Sequence, residues 1–163
     1  MKSLLVYYSH SGNTAYVTDR FRDALKVLGH ADIFELEYWN GKPPNIIVRY
    51  FGQFFTFLIK IKPIPVDLKE YNILFLGIPV ITNRPSAPII KYMGFLKHLS
   101  GKKIICCYVY GMESHAKKCA KFTDRFLSGK GNHQMIHIYA SYSDIYKEEF
   151  LSKLISDTVS RIK

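Results

Sequence analysis

Short apolar runs alternate with helical patterns along this 163-residue chain. Five runs have the length and composition of β-strands, at residues 4–8, 33–36, 73–77, 104–109 and 135–139. The first, third and fourth are almost continuously apolar, which is typical of central parallel strands covered on both faces. The alternation of strand and helix therefore predicts an α/β protein, a three-layer α/β/α sandwich around a five-stranded parallel sheet.

Between these runs, apolar residues recur with the 3.6-residue period of a helix. Four stripes are visible: Val17, Phe21, Ala24, Leu25 and Leu28; Ile89, Met93 and Leu96; Ala116, Cys119, Ala120, Phe126 and Leu127; and Leu151, Leu154, Ile155, Thr158 and Ile162. For the last helix we expect a cap at Ser143 or Asp144. Hydrophobic residues make up 48% of the chain, and the length suits one domain, so we expect residues 1–163 to form a single domain.

Residues 46–61 depart from this alternation because they form one very apolar run. Its polar members would share one side of a helix, and the other sides would have to be covered. The run is too short and too interrupted to span a bilayer, so we expect no transmembrane segment. Two interpretations stay open. The run is either a crossover helix of the fold or a surface for homodimer formation or membrane-surface contact.

A candidate phosphate loop separates the first predicted strand from the first helical stripe. It consists of Ser9, His10, Ser11, Gly12, Asn13 and Thr14. In the first βα unit of a parallel sheet, a helix N-terminus offers unpaired N–H groups and the positive end of its dipole to an anion. Gly12 permits a tight turn, and the hydroxyl side chains add neutral donors.

Two other phosphate-binding motifs are absent from the sequence. There is no Gly-x-x-x-x-Gly-Lys-Ser/Thr, which excludes a P-loop nucleotidase, and no Gly-x-Gly-x-x-Gly, which argues against a dinucleotide site. A loop of neutral donors without lysine suits a terminal phosphate monoester.

The loop resembles the flavodoxin signature Ser/Thr-x-Ser/Thr-Gly-x-Thr, matched at Ser9, Ser11, Gly12 and Thr14. The stretch that ends in Gly77-Ile78-Pro79-Val80 resembles the third strand and following turn of the same family. The resemblance implies the flavodoxin-like fold with strand order 2-1-3-4-5 and flavin mononucleotide (FMN) as the cofactor. It also implies two flavin-facing loops, the first formed by Pro79, Val80, Ile81, Thr82 and Asn83 and the second by Tyr110, Gly111 and Met112.

The sequence departs from the family where many relatives carry Trp or Tyr in the first flavin loop. Ile81 and Thr82 stand there instead. Tyr110 either supplies the missing ring or is a surface tyrosine in a turn. Arg84 either lies over the flavin or its phosphate or is a solvated residue at a helix entry. His10 is interpreted as a solvent-facing loop residue, with a phosphate ligand as the alternative.

The net charge and the cysteine content indicate which partners and which cellular compartment to expect. The formal net charge is +10, but the basic residues are scattered, so we expect no nucleic-acid binding and a redox partner with an acidic surface. The three cysteines have no zinc-site spacing and are expected to be free buried thiols in a cytoplasmic protein.

The sequence shows no convincing set of catalytic side chains, which suits a flavoprotein whose cofactor performs the redox chemistry. We therefore expect an FMN-binding electron carrier or small FMN-dependent reductase. The alternative is a flavin-free interaction module on the same fold.

Overall fold

The computed structural model describes residues 1–41 and 56–162. Its strands are β1 (Lys2–Tyr7), β2 (His30–Glu35), β3 (Ile73–Ile81), β4 (Arg84–Pro85), β5 (Lys103–Tyr110) and β6 (Gln134–Ser141). Five of them form a parallel sheet in the order β2-β1-β3-β5-β6. Counted among the parallel strands alone this is the order 2-1-3-4-5, so the prediction is confirmed.

The helices are α1 (Asn13–Lys26), α2 (Ala87–Phe95), α3 (Glu113–Ser128) and α4 (Glu148–Ser160), which agree with the four predicted stripes. Because side chains alternate along a strand, Leu4 and Leu5 enter different cores. One core lies beneath α2 and α3, and the other lies beneath α1 and α4. This arrangement is the predicted three-layer α/β/α sandwich.

The first helix lies unusually close to the sheet because Gly77 of β3 has no side chain. A Cβ atom at Gly77 would stand 2.6 Å from Thr18 Oγ1 and 2.6 Å from Tyr7 Cβ. Any larger residue would therefore push α1 outward. Gly77 thus helps to fix where the beginning of α1 sits over the carboxyl end of the sheet.

The region after Gly77 differs from the prediction. The apolar run predicted that β3 ends at Gly77, and the family resemblance implied that residues 79–83 form a loop. Instead β3 continues to Ile81 and turns back as β4, with Val80 opposite Pro85 and Ile81 opposite Arg84 in antiparallel register. The sheet therefore carries a sixth, two-residue strand beyond the five predicted.

The predicted cap of the last helix was wrong. Helix α4 begins at Glu148, with Lys147 at the N-cap, rather than after Ser143 or Asp144. The Asp144 carboxylate instead accepts hydrogen bonds from Ser141 Oγ and from Lys147 Nζ, the latter at 2.7 Å. These bonds lower the pKa of Asp144 and use its side chain to close the preceding turn.

Most of the apolar run 46–61, with the homodimer hypothesis that rests on it, lies outside the described residues. At its end, Thr56–Leu58 form a short 3₁₀ turn, and Ile61 pairs with Tyr38 in an isolated antiparallel bridge. An α-helix therefore does not continue to residue 61. Across residues 1–41 and 56–162, none of the helices has the length and apolarity needed to cross a membrane.

The cysteines agree with the prediction of free buried thiols. Cys106, Cys107 and Cys119 are all buried and unbridged. Cys106 and Cys107 enter opposite cores, as their adjacency in a strand requires. Burial raises the pKa of the Cys106 thiol to about 12, so this sulfur is protonated and unreactive at neutral pH.

Candidate functional site

The beginning of α1 is set by Gly12, which has φ +86° at the N-cap position. This left-handed conformation strains residues that carry a Cβ atom, and glycine adopts it freely. The space that a side chain would occupy is open, with no heavy atom within 4 Å of the ideal Cβ position. The chain thus turns into the helix at Gly12 and leaves room for a group to approach its backbone.

The first turn of α1 has backbone donors without acceptors. The first helical hydrogen bond runs from the Tyr16 N–H to the Gly12 carbonyl at 2.9 Å, and no side chain caps the helix. Among the described residues, the N–H groups of Asn13, Thr14 and Ala15 therefore have no protein acceptor. Such unpaired donors at the positive end of a helix form an anion-binding site.

Two buried hydroxyl groups near this turn also lack partners. They are Ser9 Oγ in the loop before α1 and Ser86 Oγ at the N-cap of α2. Ser86 is completely buried. A buried hydroxyl without a hydrogen bond costs free energy unless another group satisfies it. A polar ligand bound at these helix starts would satisfy both hydroxyls.

The start of α1 and the start of α2 border the same small cavity of about 90 Å³. Its lining residues are Tyr8, His10, Ser11, Thr14, Tyr38, Pro79, Ile81, Ser86, Ala87 and Tyr142. A cavity of this size is far below the roughly 300–1,000 Å³ of a pocket that encloses a drug-sized ligand. It suits a single small polar group, with the remainder of a larger molecule outside.

The lining has an apolar wall and an uncharged polar wall. Tyr8 and Tyr38 are buried and meet edge to face, with ring centroids 5.9 Å apart. Neither lysine nor arginine occurs among the described residues that line the cavity. An anion here would be held by backbone N–H groups, hydroxyls and helix dipoles rather than by a fixed cation.

The cavity brings together part of the predicted site. Of the phosphate loop, His10, Ser11 and Thr14 line it, and Ser9, Gly12 and Asn13 stand beside them in the same turn. Of the first predicted flavin loop, Pro79 and Ile81 line it. Val80 packs against the core, and Thr82 and Asn83 form the exposed turn of the β3–β4 hairpin.

The second predicted flavin loop does not line this cavity. Tyr110, Gly111 and Met112 are not among the described lining residues of the cavity. Tyr110 packs against the core beneath α2 and α3, and desolvation raises its pKa. Met112 is 58% exposed at the N-cap of α3. Of the tyrosines that follow or end the last two parallel strands, Tyr142 lines the cavity and Tyr110 does not.

Sequence reasoning missed five of the lining residues: Tyr8, Tyr38, Ser86, Ala87 and Tyr142. Tyr142 lies against Gly111, whose ideal Cβ position is 3.4 Å from the Tyr142 ring, and it is 41% exposed. One sequence signal pointed to it. Tyr142 follows the last parallel strand directly, and the carboxyl ends of parallel strands meet at the edge where ligands bind.

A second tyrosine ties the phosphate loop to the segment after β6. Tyr146 donates a hydrogen bond from its hydroxyl to Asn13 Oδ1 at 2.7 Å, and its ring packs on Tyr16 with centroids 5.0 Å apart. The side-chain oxygen of Asn13 is thus already hydrogen-bonded to Tyr146. Its contribution at the start of α1 is its backbone N–H.

Arg84 lies against α3. Its guanidinium stands 5.0 Å from the centroid of the Phe122 ring, a cation–π arrangement. Arg84 belongs to β4 opposite Ile81, so it is held beside the cavity by the hairpin and does not line it. It is therefore neither a freely solvated residue at the helix entry nor a lining residue of the cavity.

Larger hollows lie elsewhere on the surface. One of about 450 Å³ runs between α1 and α4, where its walls include Ala24, Val27 and Ile155. Another of about 480 Å³ is bordered by Asp124 and His133. Within the described part of the chain, no cluster of three His, Cys, Asp or Glu side chains could hold a metal ion. We place the candidate site at the smaller cavity because unpaired donors from two helices converge there.

Comparison with known proteins bears on the fold. No protein-family model and no curated protein sequence matches this chain. Among solved structures, a "putative flavoprotein" from Bacteroides eggerthii is similar with a TM-score of 0.73 and 17% identity, over 99% of this chain and 97% of that chain. A flavodoxin from the domain Archaea gives a TM-score of 0.66 and 14% identity over 99% of each chain.

Oxidised flavodoxin 1 from Bacillus cereus is similar along its entire length, with a TM-score of 0.59 and 14% identity over 100% of each chain. At these identities the likeness establishes the arrangement of helices and strands. By its strand order, its layers and these similarities, the chain has the flavodoxin-like fold.

Proposed function

We propose that this chain binds FMN and acts in electron transfer, as a carrier or a small FMN-dependent reductase. The observation that carries the proposal is the uncapped start of α1, where Gly12 is left-handed and three N–H groups have no acceptor. That donor set fits a terminal phosphate. The solved structures of the same fold include flavodoxins, which favours a flavin as the rest of the ligand.

The residues present fit a phosphate monoester in three respects. The buried Ser9 and Ser86 hydroxyls lack partners that a phosphate would provide. The cavity of about 90 Å³ admits one phosphate group and not a flavin ring. The buried side chains of Tyr8 and Tyr38 line it, so a phosphate there would be partly shielded from water. The dinucleotide FAD, whose two phosphates are each joined to a neighbour on two sides by an ester and by the shared anhydride oxygen, would fit poorly.

When bound, FMN would supply the redox chemistry, and the chain would supply binding and orientation. The N–H groups of Asn13, Thr14 and Ala15 would hold the phosphate. Ile81 and Tyr142 border the cavity and are partly exposed, so they are the side chains best placed to contact the remainder of the molecule. No acid, base or nucleophile of the chain is required.

The charge of the carboxyl edge of the sheet favours an acidic redox partner. Three acidic side chains that follow the strands there are each neutralised by a lysine. Glu37 pairs with Lys62 at 2.6 Å, Glu113 with Lys117 at 2.7 Å, and Asp144 with Lys147 at 2.7 Å. With these acids neutralised and a formal net charge of +10, the chain as a whole would attract an acidic protein. The buried free thiols suit a reducing compartment, and we propose the cytoplasm.

The proposal is tested by titrating the apoprotein with FMN, riboflavin and FAD while following flavin fluorescence. A phosphate held by several charge-assisted hydrogen bonds contributes several kcal/mol, so FMN should bind at least about 100-fold more tightly than riboflavin. FAD should bind more weakly than FMN. Equal affinities for FMN and riboflavin would refute the assignment of the phosphate loop.

The same titration addresses the second candidate function. If no flavin binds to a folded protein, the flavin-free interaction module becomes the better interpretation. The purified protein gives an early indication, because a flavoprotein that retains FMN is yellow.

A further inference from the structure

The start of α2 has an unusual serine. Ser86 occupies the N-cap position, where a serine side chain ordinarily accepts a hydrogen bond from the N–H of the second or third helical residue. Here Ser86 Oγ makes no such bond, and it is buried with no hydrogen-bond partner. The second helical residue is Pro88, which has no N–H to offer.

The backbone donors of this helix start are also unpaired. The first hydrogen bond of α2 runs from the Ile90 N–H to the Ser86 carbonyl at 3.1 Å. Among the described residues, the N–H groups of Ala87 and Ile89 have no backbone acceptor. The start of α2 therefore resembles the start of α1, with free N–H groups and a buried hydroxyl that lacks a partner.

Both helix starts border one cavity. Ser11 and Thr14 line it from the α1 side, and Ser86 and Ala87 line it from the α2 side. The positive ends of two helix dipoles thus converge on a space of about 90 Å³. With no lysine or arginine among the described lining residues, the cavity offers an anion these dipoles, the hydroxyls and the His10 ring.

We infer that Ser86 and the first turn of α2 form the second half of the phosphate site. The Ser86 hydroxyl donates to a phosphate monoester dianion whose other oxygens are held by the N–H groups at the start of α1. That the whole ligand is FMN rests on the proposed function. That a phosphate group binds here rests on the cavity and its donors. Such a site explains why a serine that does not cap its helix is completely buried at this position.

A test compares Ser86→Ala with Ser3→Ala. Ser3 is a matched control because its Oγ is also buried without a partner, but it lies at the amino end of β1, at the opposite edge of the sheet. FMN affinity is measured by flavin fluorescence. Binding of inorganic phosphate is measured by the rise it produces in the thermal unfolding midpoint. Ser86→Gly is a second variant that also removes the hydroxyl. Because glycine is well tolerated at an N-cap, it should disturb the helix less than alanine does.

We expect Ser86→Ala and Ser86→Gly to weaken FMN binding about tenfold, the loss typical of one hydrogen bond to a charged group. Stabilisation by inorganic phosphate should fall in parallel. Ser3→Ala should bind both ligands as the wild type does. Equal losses in the Ser86 and Ser3 variants would show a general structural effect and would overturn the inference.

The outcomes separate this inference from the proposed function. If the wild type binds FMN and both Ser86 variants bind it equally well, the second half of the site is refuted while FMN binding stands. If FMN does not bind but phosphate stabilises the wild type and not the Ser86 variants, the FMN proposal fails and the two-sided phosphate site stands. If neither ligand binds, both are refuted.

Discussion

The phosphate loop and the β3–β4 hairpin face the same cavity but are organised differently. The loop before α1 leaves three N–H groups unpaired and holds Gly12 in a left-handed conformation. The hairpin satisfies its own backbone, with Ile81 opposite Arg84 and the Ser86 N–H donating to the Pro79 carbonyl at 3.3 Å. The loop therefore has backbone donors available for a ligand, whereas the backbone groups of the hairpin are bonded to each other.

This contrast indicates which part of FMN would contribute most of the binding free energy. A preformed set of donors does not have to be ordered when a phosphate arrives, so its hydrogen bonds contribute nearly in full. The hairpin offers Ile81 and no aromatic ring at the cavity. We therefore expect the phosphate to dominate FMN affinity and the ring to add little.

The largest expected effect comes from Gly12→Val. A β-branched residue is strained at φ +86°, and its side chain would occupy the open space through which the phosphate approaches. FMN affinity, followed by fluorescence, should fall by at least about 100-fold, the order expected for several charged hydrogen bonds.

Gly101→Val is the matched control for this change. Gly101 also has a positive φ, +75°, and open space around its ideal Cβ position, but it lies in the loop before β5, at the opposite edge of the sheet. Both variants should lose similar thermal stability, and only Gly12→Val should lose FMN binding. Similar FMN affinities in the two variants would place the phosphate elsewhere.

A smaller effect is expected at the hairpin, where Ile81→Trp would add the missing ring. Ile81 is partly exposed in a strand, a setting that accepts tryptophan. A stacked aromatic pair adds about 0.5–1.5 kcal/mol, so FMN should bind roughly 2- to 10-fold more tightly. Val27→Trp places the same residue at the 85%-exposed C-cap position of α1 and should leave affinity unchanged. Weaker binding in Ile81→Trp would show that the hairpin does not face the ring.

The smallest expected effect is electrostatic and concerns Arg84, which the hairpin holds beside the cavity. A unit charge several ångströms from the ring contributes on the order of 1 kcal/mol at an intermediate dielectric, about 20 mV in a two-electron couple. Because a positive charge favours the reduced, more negative flavin, Arg84→Gln, which removes one charge, should lower the midpoint potential of bound FMN by about this amount. Arg84→Glu changes the charge by two units and should lower it by about twice as much.

The salt dependence sharpens the measurement at Arg84. The difference in potential between Arg84→Glu and wild type should shrink as salt is added, since exposed charges are screened. Lys153→Glu, a charge reversal on an exposed position of α4, serves as the control and should shift the potential less. A potential that Arg84→Glu leaves unmoved would place this side chain away from the ring.

Local patterns determined the framework of this protein. The apolar runs and helical stripes predicted the five parallel strands and four helices of the described structure, because residues buried on a sheet or a helix face must recur with the period of that element. The candidate phosphate loop could be recognised in the sequence for a similar reason. Gly12, the flanking hydroxyl residues and the start of a helix are neighbours in the chain, so their arrangement is local.

Tertiary structure decided the rest of the site. The β3–β4 hairpin was missed because its turn has Thr82, not glycine, at a positive φ of +55°, a conformation stabilised only by its surroundings. Ser86 and Tyr142 were missed because they meet Thr14 only after β3 and β6 have taken their places in the sheet. A single sequence records periodicity and local turns, whereas the convergence of two helix starts on one cavity depends on strand order and packing.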